Sequence, residues 1–490
     1  MIRRAIPALL VLIAGFVALV AAGREESVPP VAVFAIDAGT WMPHVNTADT
    51  LTGSWFCPGV PATGEEGVGG DVVVSNRDSD ELVGRFTVLT PDGAGPAQGF
   101  TVAPWSQSTI DVDALVTAPF ASVVVELDGG GGIVEQRAIH PAGESVAPCS
   151  NDTSDTWYFA DGFTVDGSVE TLILTNPYDD VAIAQLSFAT ETGESSPSAF
   201  RGFPIPPRSV KIIPIAELGA RNEPVIAVEV TTTSGRVVLG RAQHYLGGGR
   251  LGYDVSLAAP ALRDQFWFAD GEQGDGITET FSIYNPTDAD VEVDAVFLGL
   301  PLDANFGEVP PIVVPSRRVV VFDPSAQETA AAIPDGRHAV VFSTLSEPSI
   351  VVERVITRPA GESVATSVVL GAPPRQDGFV ATQWHLGLGP SAPTPDALVV
   401  YNVDNVEGTI TIEALGPGGP TPVDGLVDIP IGPGAVITIG LESPDALGTE
   451  LILKSTNRVF VERSLPRSSP AGGGDLAGRS GSWALPSVET

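Results

Sequence analysis

The stretch Thr156-Trp157-Tyr158-Phe159-Ala160-Asp161-Gly162 returns as Phe266-Trp267-Phe268-Ala269-Asp270-Gly271. Weaker forms stand at Ser54-Trp55-Phe56 and Gln383-Trp384-His385. About twenty residues after each tryptophan comes a β-rich run ending in asparagine: Asn76, Asn176, Asn285 and Asn402. The tryptophan-to-asparagine distances are 21, 19, 18 and 18 residues. A proline follows each asparagine after 28, 31, 30 and 31 residues (Pro104, Pro207, Pro315, Pro433). Each unit then closes on a strand leading into an arginine, at Arg137, Arg241, Arg354 and Arg463. Pro141-Ala142-Gly143-Glu144-Ser145-Val146-Ala147 recurs letter for letter as Pro359-Ala360-Gly361-Glu362-Ser363-Val364-Ala365. Four ordered landmarks in four copies identify an internal repeat.

Within a unit the pattern is that of strands. Runs such as Val181–Phe188, Val291–Leu298 and Thr409–Leu415 are short, β-branched and partly alternating, with Gly, Pro and Asp between them. Single helical turns are expected at Ile215–Leu218, Ser325–Ala332 and Ser443–Leu447. Six or seven short strands in about 100–115 residues predict a β-sandwich of immunoglobulin-like size. A four-bladed propeller is the weaker alternative, because a blade needs only about 40–45 residues. The fold class is therefore all-β: four tandem immunoglobulin-like β-sandwich repeats behind an N-terminal signal or anchor helix. The expected boundaries are 1–23 (signal peptide or signal anchor), 24–50 (stalk), 51–150, 151–262, 263–378 and 379–490 (repeats one to four). The repeats are expected to stand in an extended row with small interfaces. A closing element recurs at Ser256–Pro260, Ser367–Pro373 and Ser482–Pro486, so Ser468–Gly481 reads as a long loop before a last strand.

The chain of 490 residues carries 60 acidic and 25 basic residues, a formal charge of −35. A hydrophobic fraction of 43% argues against disorder. With Lys211 and Lys454 the only lysines, a phosphate-neutralising surface for nucleic acid is hard to build, so none is expected. At the N-terminus Arg3 and Arg4 precede an uncharged, mostly apolar run, Ala5–Ala22, which is followed by Arg24, Glu25 and Glu26. These are the parts of an export signal, with Val20 and Ala22 at the −3 and −1 positions of a cleavage site. Eighteen residues also just suffice to span a bilayer. Cleaved signal and retained membrane anchor both stand, and in either case the body is expected outside the cytoplasm. An oxidising compartment permits Cys57 and Cys149 to pair, the alternative being two buried free thiols.

The Trp-[Tyr/Phe]-Phe-Ala-Asp-Gly opening, Asn176-Pro177, Asn285-Pro286, Pro206 to Ser209 and the two cysteines together carry a likeness. The chain resembles a family of large exported actinobacterial proteins defined only as a domain of unknown function. The resemblance implies an exported location and a repeat architecture, and no activity. Units one and four depart from the opening motif at Cys57 and His385.

Motifs of chemistry are sparse. The chain contains no Gly-x-Ser-x-Gly elbow, no His-Glu-x-x-His helix and no phosphate-binding Gly-x-x-x-x-Gly-Lys. His140 and His244 each follow a closing arginine by three residues, either as repeated ligands or bases or as caps of a strand leaving its sheet. A carboxylate-rich turn follows each asparagine: Asp78, Asp80 and Glu81; Asp179 and Asp180; Asp288 and Asp290; Asp404 and Glu407. Converging oxygens of this kind suit Ca²⁺, but Asp and Asn also favour turns for their local hydrogen bonds, which is the preferred reading. The tryptophans Trp55, Trp157, Trp267 and Trp384 read as core rather than sugar-stacking platforms. No catalytic, cofactor-binding or metal residue is singled out. The expected function is a non-enzymatic extracytoplasmic scaffold, adhesion or binding module for a cell-envelope component or a partner protein. The alternative is an envelope-polysaccharide enzyme or accessory factor with a site in a cleft between repeats.

Overall fold

The computed structural model describes residues 43–46, 50–300, 309–326, 333–345, 347–361, 363–373, 381–466 and 479–487. The signal or anchor expected at 1–23 and the helical turn expected at 325–332 lie wholly or largely outside them. Among the described residues the regular structure is antiparallel strand with a few 3₁₀ turns, two of them at Ile215–Leu218 and Pro444–Ala446. No helix there is long and apolar enough to cross a membrane.

Each of the first three copies builds two sheets. In copy one the outer sheet runs Gly53–Ala62, Ala118–Asp128, Leu82–Thr90, and the inner sheet Ser106–Asp111, Gly69–Asn76, Gly132–Ile139, Ser145–Pro148. Copies two and three repeat this order. In copy four one sixteen-residue strand, Leu451–Pro466, serves both sheets and joins them into a single nine-stranded one. The inward faces of the two sheets meet in a core, and the cores of copies three and four run together. In copy one Trp55, Phe86 and Val125 from the outer sheet pack on Val72, Val74 and Ile133 from the inner. The tryptophan is the centre of three cores: Trp157 Nε1 donates to Val237 O at 2.9 Å and Trp384 Nε1 to Val459 O at 3.1 Å. Copy three differs. Phe266 takes the buried position, while Trp267 is half-buried with its ring 6.2 Å from that of Tyr401 in copy four.

The repeated asparagine is a turn device. Asn176 Nδ2 donates to the carbonyls of Asp180, Ile205 and Pro206, and its Oδ1 accepts from Tyr178 N. Asn76, Asn285 and Asn402 make equivalent bonds. A buried amide thus satisfies carbonyls of two connections that would otherwise lose their hydrogen bonds on burial. That explains the 30-residue spacing to the proline turn. It also explains the acidic residues, whose carboxylates point outward: Asp179 faces Arg208, Asp288 faces Arg317 and Asp404 faces Arg458.

The extended row expected from the sequence is not what forms. The last inner strands, Ser145–Pro148, Arg250–Leu257, Ser363–Leu370 and Arg479–Trp483, touch in that cyclic order, the fourth returning to the first, and close the four copies into a ring. Asp254 sits among three of them. One carboxylate oxygen accepts from Ser145 Oγ of copy one (2.9 Å) and the other from Val368 N of copy three (3.2 Å). Trp483 Nε1 of copy four donates to Leu370 O of copy three. A cavity of about 30 Å³ lies between these strands, lined by Ala147, Leu257, Val368 and Trp483 among others. Sequence reasoning missed the closure because it needs contacts between first and last copies, which no local pattern announces. Residues 43–46, read as stalk, include Val45, which is buried and pairs in parallel with Ser487 beside the last strand.

Candidate binding site at the ring axis

The opening motif and the closing arginine belong to one structure, the joint between consecutive copies. Arg241 of copy two reaches Glu353 of copy three (Nη2–Oε1 2.7 Å), and Glu353 Oε2 also accepts from the backbone N–H groups of Ala160 and Asp161 at 2.7 and 2.6 Å. The guanidinium lies 4.3 Å from the Phe159 ring. Arg354 of copy three reaches Glu462 of copy four at 2.9 Å, and Asp270 N donates to the same oxygen. Arg463 of copy four reaches Glu135 of copy one at 2.8 Å, which closes the ring. All six side chains are at most 2% exposed. Burial pushes the carboxyls of Glu353 and Glu462 up, against the pull of their arginines and of those amides.

The fourth joint shows the rule by its exception. Strand register places Gln136, not Arg137, at the arginine position: Gln136 faces Val72 as Arg241 faces Leu172, Arg354 faces Phe281 and Arg463 faces Leu398. Arg137 is one residue further and pairs inside its own copy with Asp71. The glutamate position of copy two is Gly240, where a Cβ would stand 2.8 Å from Pro58 O. Pro58, which occupies the place of Ala160, has no N–H to offer. Acid, base and amide donor are thus replaced together, so no buried charge is left without a partner. Cys57 stands where Phe159 underlies its arginine, and that position is free because Gln136 needs no ring beneath it. Cys57 is joined to Cys149 by a disulfide across 92 residues.

The Asp-Gly that ends the motif serves the same joints. Asp161 accepts from Ser282 Oγ of the next copy at 2.8 Å and faces Arg250. Asp270 is fully buried, which opposes its charge, yet Arg358, Arg337 and Arg354 hold its carboxyl at about 2. Beside Asp161 lies Glu170, whose carboxyl oxygens have no hydrogen-bond partner among the described residues. Gly162 makes room for it, since a Cβ there would stand 2.2 Å from Oε2. Burial pushes Glu170 up to about 8, against Arg241 and with the help of Asp161 and Glu353. A raised folded pKa means that this carboxyl's contribution is full below its unfolded value near 4.5 and is lost as pH rises to about 8. Glu170→Gln is expected to gain on the order of 4 kcal/mol relative to the native chain between pH 5 and pH 9. Urea unfolding at the two pH values measures it, and an equal difference at both would count against a buried neutral carboxyl.

The histidines fall into two groups. His338 is fully buried 3.0 Å from Glu279. His385 is fully buried with Nδ1 3.1 Å from Glu450 Oε1 and Nε2 within 3.0 Å of both Ser487 Oγ and Gln383 Nε2. The Ser487–His385–Glu450 order is that of a hydrolase triad, but its environment is not. Arg77 of copy one is 3.4 Å from Nε2, and burial together with that charge holds the imidazole well below its ordinary range. Nε2 is already met by three polar groups, Ser487 Oγ, Gln383 Nε2 and the Arg77 guanidinium. The cluster ties the chain's end to copy one at the seam of the ring.

His140 and His244 are not equivalent, since the register puts Ile139 at the His244 position, but they are brought into contact at one end of the axis, with ring centroids 4.5 Å apart. Here the hairpin tips that precede the axial strands come together. The tips of copies one and three carry the identical seven residues. A cavity of about 250 Å³ opens between them, lined by Pro141 and Ala142 from copy one, His244 and Leu246 from copy two, and Ala360 and Val364 from copy three. The identical residues meet different surroundings in the two copies. Ser145 is buried and bonded to Asp254 and Val255, whereas its counterpart Ser363 is exposed and lines the cavity. No group of three or more metal-ligating side chains occurs among the described residues.

Residues 140–243 match a family of unknown function, DUF5719. The match begins at His140 and so spans the tip of copy one and nearly all of copy two, including Asp161, Glu170 and Arg241. No curated protein matches. Among solved structures, the crystal structure of Thermotoga maritima 1070 is 18% identical, with a TM-score of 0.20, over 22% of this chain and 94% of that one.

Proposed function

We propose that the chain is a non-enzymatic extracytoplasmic binding module, a closed ring that presents its axis end to a cell-envelope component or an envelope protein. The observation carrying this reading is the cavity at that end, walled by three copies and edged by the repeated Pro-Ala-Gly-Glu-Ser-Val-Ala segment. The leading apolar run supports export, as does the disulfide, because such bonds persist in oxidising compartments. The alternative of a polysaccharide-cleaving enzyme wants two carboxyls open to substrate on either side of a bond. Glu135, Glu353 and Glu462 at the joints are instead buried against arginine or amide hydrogens, which favours a framework role for them. The strong negative charge suits a basic or cation-bridged partner.

Co-sedimentation of the purified chain with washed cell envelopes at neutral pH tests the reading. The native chain is expected to pellet, and Ala360→Arg, which fills the cavity mouth, to stay in the supernatant while unfolding at the same temperature. Absence of pelleting, or equal pelleting of the variant, would overturn it.

A further inference from the structure

His140 stands where the strand Gly132–Ile139 leaves its sheet. Its ring stacks on Tyr253 (centroids 4.3 Å apart, planes 9° apart) and meets His244 at 70°. Its Nδ1 accepts the N–H of Ala142 at 3.0 Å, and Gly143 N donates to His140 O at 2.8 Å. The turn Pro141–Gly143, one wall of the axis-end cavity, therefore hangs partly on a single imidazole lone pair. The titratable groups that face this ring are His244 from the strand Val238–Gly247 and Tyr253 from Arg250–Leu257. On its own hairpin, Glu144 interacts with Arg137 and Asp71.

We infer that protonation of His140 releases the Pro141–Gly143 turn and reshapes the cavity, which makes the axis-end face sensitive to acid. The neutral ring carries its hydrogen on Nε2, because Nδ1 is the acceptor. A proton taken from solvent must bind Nδ1, and it converts that acceptor into a donor aimed at the Ala142 N–H. The same proton places a positive charge against His244 in a half-buried site. Burial first, and His244 second, hold the pKa of His140 at about 4, and burial lowers that of His244. A lowered histidine pKa leaves the turn fixed at neutral pH and loosens it as pH falls from about 6.5 towards 4. The inference rests on the reading of this end as the binding face only for its biological use, since the switch itself is a property of the turn.

Hydrogen exchange of the full chain, followed at the Ala142 amide and corrected for intrinsic rates, tests it. In the native protein protection at Ala142 is expected to fall at least about tenfold as pH drops from about 6.5 to about 4, while amides of Arg250–Leu257 keep theirs. His140→Asn should hold protection throughout. Its Oδ1 can accept the amide two residues on, as Asn76 does from Asp78, and it does not titrate. His244→Gln should bring the His140 pKa nearer its ordinary value and so shrink the loss. Unchanged protection at Ala142 down to about pH 3, an identical loss in His140→Asn, or simultaneous exchange of the axial strand would each overturn the inference. Failure of envelope binding at neutral pH would leave this result untouched, which separates the two readings.

Discussion

Arg463→Ala should destabilise the protein by about 3–5 kcal/mol in urea unfolding, among the largest effects open to a single substitution. Arg463 is buried and holds Glu135 at the one joint that no linker spans, so its removal leaves a carboxylate inside the ring without a counter-charge. The loss is a desolvation penalty more than a missing attraction, which yields a second expectation. Removing both groups, as Arg463→Gln with Glu135→Gly, copies the Gln136 and Gly240 of the joint between copies one and two. It should recover most of what Arg463→Ala loses. The exposed pair Arg85–Glu126 provides the contrast, and Arg85→Ala should have little effect. If Arg463→Ala matched Arg85→Ala, the seam would not be held by buried charge.

Replacing Cys57 and Cys149 together by alanine should cost roughly 4.6 kcal/mol in the chain-entropy form for a 92-residue loop. The bond ties the opening strand of copy one to the segment leaving its axial strand. The unbridged chain must therefore close nearly a whole copy by packing alone. Both sulfurs are buried, so reductant should act on the native protein only through its unfolding. A guanidinium unfolding midpoint that is the same with and without the bridge would contradict this.

The framework was legible because repetition reports it. Tryptophan, asparagine and proline recur at fixed intervals, each for a local reason: a core anchor, an amide that satisfies two turns, and a strand start. Register was less legible. Arg137 looked like the closing arginine because only one residue separates it from the true position, and a one-residue slip turns a side chain to the opposite face. The pairing of strands, not the spacing of letters, identifies Gln136. Trp267 misled in the same way, one residue from Phe266, which fills the core. The glutamates were overlooked although Glu353-Arg354 and Glu462-Arg463 stand as adjacent pairs, because each arginine bonds the next copy's acid rather than its neighbour's. The spacing singled out His140 and His244 as a pair, but their meeting, and with it the cavity, depends on how copies one to three pack and had no local signal.

Closure itself is most directly measured by small-angle scattering of the body, residues 41–490, which form one compact unit. A closed ring of that length should give a radius of gyration of about 22 Å. Four sandwiches in a row would give roughly 40 Å, estimated from units of about 13 Å each. A value near the first supports the ring, and Arg463→Ala should raise it as the seam opens. A value near the second in the native protein would contradict the ring and every joint derived from it.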